Sequence, residues 1–181
     1  MLQRILRHTR YIILGMMDGA LIILSLLLAS LISQDMSAHA LMRLSLAVGF
    51  GIFMSDFLGA YYAETAEVNR KFATIEKNMG VKGGYLKGTH LHETEQSSVW
   101  VGALTNAFSA LLGCVIPAIP LLVLHGAAAV YTSMCMALAM LFILGAYLGR
   151  LSKENILMSG LKLIIVTLLI VLFNVLIGRY V

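Results

Sequence analysis

GMMDGALIILS, residues 15–25, sets an Asp in the middle of a run otherwise fit only for lipid. From Tyr11 to Ser33 the single charge is Asp18. A carboxylate at bilayer depth costs roughly 2.5 to 3.5 kcal/mol on insertion scales, so it persists where it faces a protein interior, a water path or a cation. Asp18 is therefore the first candidate cation site. Gly15, Asp18, Gly19, Ser25 and Ala29 fall on one side at helical spacing, expected to face a second helix, while Ile13, Leu24, Leu27, Leu28 and Leu31 cover the other. The competing reading of a lone intramembrane Asp is a packing residue hydrogen-bonded to a nearby Ser or Asn.

Working outward, the 181 residues are 60% hydrophobic and 12% charged, with a mean hydropathy of +0.90, too little polar surface to coat a soluble globule. The charges are bunched and leave apolar runs near 11–33, 38–63, 98–124, 127–149 and 156–178. Each is about long enough to cross some 30 Å of hydrocarbon at 1.5 Å per residue. The fold class is all-α: residues 1–181 as one integral membrane domain of five transmembrane helices, with 64–97 as an extension of helix two and a loop. The first run is longer than a signal-peptide core and carries an Asp, so it is expected to stay as helix one. Cys114 and Cys135 both lie inside predicted spans and read as packing residues rather than a disulfide framework.

A net charge of +4 suggests no nucleic-acid partner here, because the cations flank membrane segments instead of forming a basic stripe with interleaved aromatics. Arg4, Arg7 and Arg10 precede helix one; Arg70, Lys71, Lys77, Lys82 and Lys87 lie between helices two and three; Arg150 and Lys153 lie between helices four and five. The opposite side receives only Arg43 and Arg179. The positive-inside rule then puts the N-terminus in the cytoplasm and the C-terminus outside, in a plasma or inner membrane if the cell is prokaryotic.

Helix two repeats the pattern of helix one: Ser45, Gly49, Asp56, Gly59, Ala60 and Ala63 combine small residues with a second carboxylate. Asp18 and Asp56 each lie about two turns from the cytoplasmic end of their helix, hence at similar depth. Two carboxylates close together share a proton or hold a cation. Met54, Met16 and Met17 are near in sequence, and an Asp and Met mixture suits Fe²⁺ or Mn²⁺ better than Mg²⁺ or Ca²⁺, though each Met also reads as a gap filler.

Val68, Phe72, Ile75 and Met79 recur at helical spacing, so helix two is expected to project into the cytoplasm, stopping at Gly80. Glu64 and Glu67 could form a cation-attracting vestibule, or Glu67 could pair with Lys71 on a solvated face. Residues 80–98 read as a Gly-rich loop in which His90, His92, Glu93 and Glu95 resemble a metal-binding tract only loosely, with Ser97 or Ser98 capping helix three. Helix three carries Gly102, Asn106, Ser109 and Gly113 on one stripe and is broken or kinked by Pro117 and Pro120. Asn174, on one face of helix five with Gly160, Thr167 and Gly178, is placed to hydrogen-bond across the bundle or to line a path.

GMMDGALIILSLLLAS resembles the first-helix motif of the vacuolar iron transporter family, and SDFLGAYYAETAEV its second-helix signature. PAIPLL and LGAYLGRLSKENILMSGL resemble later motifs, so the similarity spans nearly the whole chain. The resemblance implies a five-helix homodimer that exchanges Fe²⁺ or Mn²⁺ for protons and exports the metal along a path at the dimer interface. It matches Asp18 to the family's essential Asp. Helix two departs from the eukaryotic pattern, with Asp56 where those members carry Met and Ala60 where they carry Glu. The loop is much shorter than the Glu-rich metal-binding domain of plant-like members, and closer to prokaryotic and archaeal relatives.

The expected function is thus a divalent transition-metal transporter, a metal/proton antiporter with no permanently bound cofactor, its substrates Fe²⁺, Mn²⁺ or other divalent metals. Its expected metal-site residues are Asp18, Asp56, Met54, Glu64 and Glu67, then His90, His92, Glu93 and Asn106. Its expected partners are a second copy, membrane lipid, metal ions and protons. The alternative is a non-transporting scaffold or assembly subunit whose polar residues only pack helices. An enzyme is not expected: neither Gly-x-Ser-x-Gly with a partner His nor His-Glu-x-x-His occurs.

Overall fold

The computed structural model describes residues 2–33 and 37–180; the side chains of Arg4, Arg7 and Arg179, used above for sidedness, lie outside what it describes. The chain forms α1 (Leu2–Ser33), α2 (Ala38–Met79), α3 (His90–Ala118), α4 (Pro120–Val123), α5 (Ala127–Leu151) and α6 (Ile156–Tyr180). Among the described residues five helices are long and apolar enough to cross a membrane, α3 and α4 counting as one span. This all-helical arrangement is the one expected from the bunched charges.

The helix ends follow local chemistry. Ser37 caps α2 by accepting from the Ala40 amide at 3.3 Å, and Gly80 closes it in the left-handed region, φ 69°, where a side chain would be strained. At 42 residues α2 is about 63 Å long at 1.5 Å per residue, twice the hydrocarbon thickness, so it must project from the bilayer. Pro117 sits in the last turn of α3 and Pro120 opens α4. Between them Ile119 keeps helical angles and the turn tightens, with Ile119 N donating to Ile116 O at 3.2 Å and Leu122 N to Ile119 O at 3.0 Å.

Three expectations are corrected. The cap of α3 is Thr89, not Ser97 or Ser98: its hydroxyl accepts from the His92 amide at 3.4 Å, and His90 to Gln96 are helical rather than loop. Apolar periodicity located only the lipid-crossing part of that helix, because its first two turns stand clear of the hydrocarbon and need no apolar residues. On the projecting part of α2 the buried stripe is Val68, Phe72 and Glu76, whereas Ile75 and Met79 are exposed. The third correction concerns α1, where Leu24, Leu27 and Leu28 face the core and Asp18 and Ala29 are exposed. Lipid is as apolar as leucine, so a leucine-rich face does not tell lipid from protein.

What does distinguish the packed face is closeness. A Cβ added at Gly15 would lie 2.3 Å from the Asn106 carbonyl oxygen, at Gly19 2.1 Å from that of Ala110, and at Gly113 2.4 Å from that of Met16. The α1 and α3 backbones therefore touch. Tyr11 packs on Gly102 one level away, and α5 and α6 meet through Gly145 and Gly160. α1 also reaches α5 and α6, where Asn174 Nδ2 donates to Ser25 Oγ at 3.3 Å, the first of the two roles expected of that residue. α1 and α2 both lean on α3 but touch one another sparingly, which opens a crevice between them.

Candidate functional site

The crevice between α1 and α2 has a volume of about 610 Å³. α1 supplies Asp18, Leu21 and Ile22, one turn apart, and α2 supplies Val48, Gly51, Ile52, Ser55 and Asp56 over two turns. The two carboxylates thus line one crevice. Asp56 is half-buried, and its Oδ2 is shielded from solvent without a hydrogen-bond partner. An orphaned carboxylate oxygen is costly, so a cation or a proton is the group that fits it.

The crevice opens sideways. Along α2, Ala47, Gly51, Ser55, Gly59 and Ala63 form an exposed row of small residues spaced by four, and a Cβ at Gly51 or Gly59 would meet nothing within 4 Å. Leu46, Phe50, Met54, Leu58 and Tyr62 form an exposed apolar row beside it. The face of α2 bearing the crevice is therefore uncovered within one chain.

The other candidate residues lie elsewhere. Met54 is on the exposed apolar row, outside the crevice. Glu64 is half-buried and accepts a hydrogen bond from the Tyr11 phenol. Glu67 lies beside Arg70, Lys71 and Thr74 on a groove of the projecting part of α2. His90 is exposed and its ring lies 3.4 Å from Thr94 Oγ1, whereas His92 sets its ring edge-on to Phe72 at 5.0 Å. Because this stretch is helical rather than the loop expected, the two imidazoles point different ways. Glu93 is exposed in the first turn of α3, and Asn106 is half-buried with its carbonyl oxygen against Gly15. Among the described residues no three His, Cys, Asp or Glu side chains converge as a metal site.

Sequence reasoning missed Gly51 and Ser55 in the crevice wall, although their four-residue spacing from Ala47 and Gly59 was there to be read. It also missed Glu76. That carboxylate is buried, accepts from the Gly84 amide at 2.8 Å and the Leu86 amide at 2.7 Å, and so folds the 80–89 loop back on α2. The Leu86 and Gly84 amides, with lesser help from Lys87 and His92, hold the Glu76 carboxyl below the usual carboxylate range. No periodicity marks a carboxylate that seals a loop.

Fold and crevice together define a class: a polytopic helical membrane protein with paired carboxylates in a lateral cleft at span depth. The particular family follows from comparison. The sequence profile of the VIT family matches residues 81–179, and the chain is 32% identical over 156 residues to an uncharacterized protein of Methanocaldococcus jannaschii, covering 86% of this chain and 81% of that one. This chain belongs to the VIT family, the vacuolar iron transporters, which places it among integral membrane proteins that transport metal ions.

Proposed function

We propose that the α1/α2 crevice is the ion site of a divalent-metal transporter that carries Fe²⁺ or Mn²⁺ out of the cytoplasm in exchange for protons. The observation that carries this reading is the pairing of Asp18 with Asp56 in one crevice, Asp56 Oδ2 having no hydrogen-bond partner. Asn174 and Ser25, by contrast, bond each other across helices, and Ser45 bonds its own helix at Leu41 O, 2.7 Å away. A cation and protons compete for the same carboxylate oxygens, so loading one releases the other, and alternating the two is a physical route to antiport.

The working unit in this reading is a homodimer. An exposed Asp18 facing hydrocarbon is costly, and a second copy laid on the small-residue row of α2 would cover it and bring four carboxylates together. The exposed Met54, one turn from the crevice wall, would add soft thioether sulfur from either copy, which favours Fe²⁺ or Mn²⁺ over Mg²⁺. Glu64 and Glu67 lie further along α2 toward the side that the basic residues assign to the cytoplasm, on the approach to the crevice.

Mn²⁺ binding to purified protein, read by the loss of the free-ion electron paramagnetic resonance signal, tests the site. Wild type should deplete the signal, and Asp18→Asn and Asp56→Asn should each leave most of it. Equal depletion by all three proteins contradicts the assignment.

A further inference from the structure

At the end of the bundle opposite the 80–89 loop, two histidines that the crevice does not use come together. His39 lies in the first turn of α2, and His125 in the connection between α4 and α5, 86 positions later by their numbering (125 − 39). Both are exposed, and their ring centres are 5.7 Å apart with the planes at 75°. We propose that His39 and His125 form a binding site for a divalent transition metal, a site separate from the crevice and independent of its assignment.

The spacing is the first argument. Imidazole nitrogens bind such ions at about 2.0–2.1 Å, which puts the centres of two rings on one ion roughly 5 to 6 Å apart. The observed separation of 5.7 Å lies in that range, so the two rings are spaced as two ligands of one ion would be. The second argument is anchorage. Ala38 and Leu41 flank His39 in the core, and Leu121 and Ala129 bracket His125, all of them buried in one cluster. Two short, ring-bearing side chains on braced backbone form a chelate whose ordering entropy is largely spent on folding. Imidazole selects Zn²⁺, Fe²⁺, Ni²⁺ or Cu²⁺ over Mg²⁺ and Ca²⁺, and water would complete the ligand set. Arg43, one turn on from His39 and also exposed, makes an anion the other ligand this face could take, and the test must separate the two.

The test uses the full chain in nanodiscs, Zn²⁺ as probe, and diethylpyrocarbonate modification of each histidine read by peptide mass spectrometry. Zn²⁺ is expected to protect His39 and His125 over the same concentration range. In His39→Ala the protection of His125 should be lost, and in His125→Ala that of His39, with His90 responding as in wild type throughout. The proposal is overturned if neither residue is protected, if either stays protected without the other, or if inorganic phosphate alone protects the pair while Zn²⁺ does not.

Discussion

Gly19 is a point where a single methyl group would run into the α3 backbone: an added Cβ would lie 2.1 Å from Ala110 O and 2.7 Å from Cys114 N. Neither atom can swing away, so Gly19→Ala must part α1 from α3. A loss of about 1–3 kcal/mol is expected, the usual range for overpacking, seen as a lower thermal midpoint of the detergent-purified protein. Gly51→Ala is the contrast, since nothing stands within 4 Å of its added Cβ; the single chain should keep its midpoint. Asn174→Leu removes the bond to Ser25 and should cost around 0.6 kcal/mol, the average for hydrogen bonds between membrane helices; a loss beyond about 2 kcal/mol would mean Asn174 holds more than Ser25. At this scale Asp18 and Asn174 were legible because a polar atom in lipid demands a reason. The packed face of α1 was not, because Leu27 in the core and Leu46 on the outside satisfy the same apolar requirement.

Among the elements, the projecting part of α2 and the start of α3 form a second, small core of Val68, Phe72 and Val99, with Tyr61 and Leu86 against it. Glu76 seals its rim. Its carboxyl titrates lower in the folded protein than in the unfolded chain, so its contribution is present above the unfolded value and is lost as pH falls through the folded one. Acidification below the ordinary carboxylate range should therefore speed hydrogen exchange at the Gly84 and Leu86 amides relative to the transmembrane helices. Glu76→Ala should produce the same loosening at neutral pH, and unchanged protection there would remove the clamp from the account. The extension of α2 was legible from Val68 and Phe72. Its third contact was not, since a Glu four residues on reads as solvated until the loop that covers it is known.

For the whole molecule, apolar length alone fixed the five spans, since hydrocarbon imposes it on any crossing helix. Which face is left for a partner follows only from the packing. The row Ala47, Gly51, Ser55, Gly59, Ala63 is unused within one chain, and the proposed dimer gives it a use. Gly51→Leu with Gly59→Leu should halve the protein mass found by light scattering, corrected for detergent, while helicity stays that of the wild type. A dimer unaffected by both changes would place the interface elsewhere.

The central claim is that Asp18 and Asp56 jointly carry a metal ion that protons replace. Its most direct test is a flux measurement in proteoliposomes holding a metal-sensitive and a pH-sensitive dye, with Fe²⁺ or Mn²⁺ added outside. The expected result is metal entry coupled to proton movement the other way, abolished in Asp18→Asn and in Asp56→Asn although both variants keep the wild-type circular dichroism. Wild-type flux in either variant, or no flux of any ion through well-folded wild type, would contradict it.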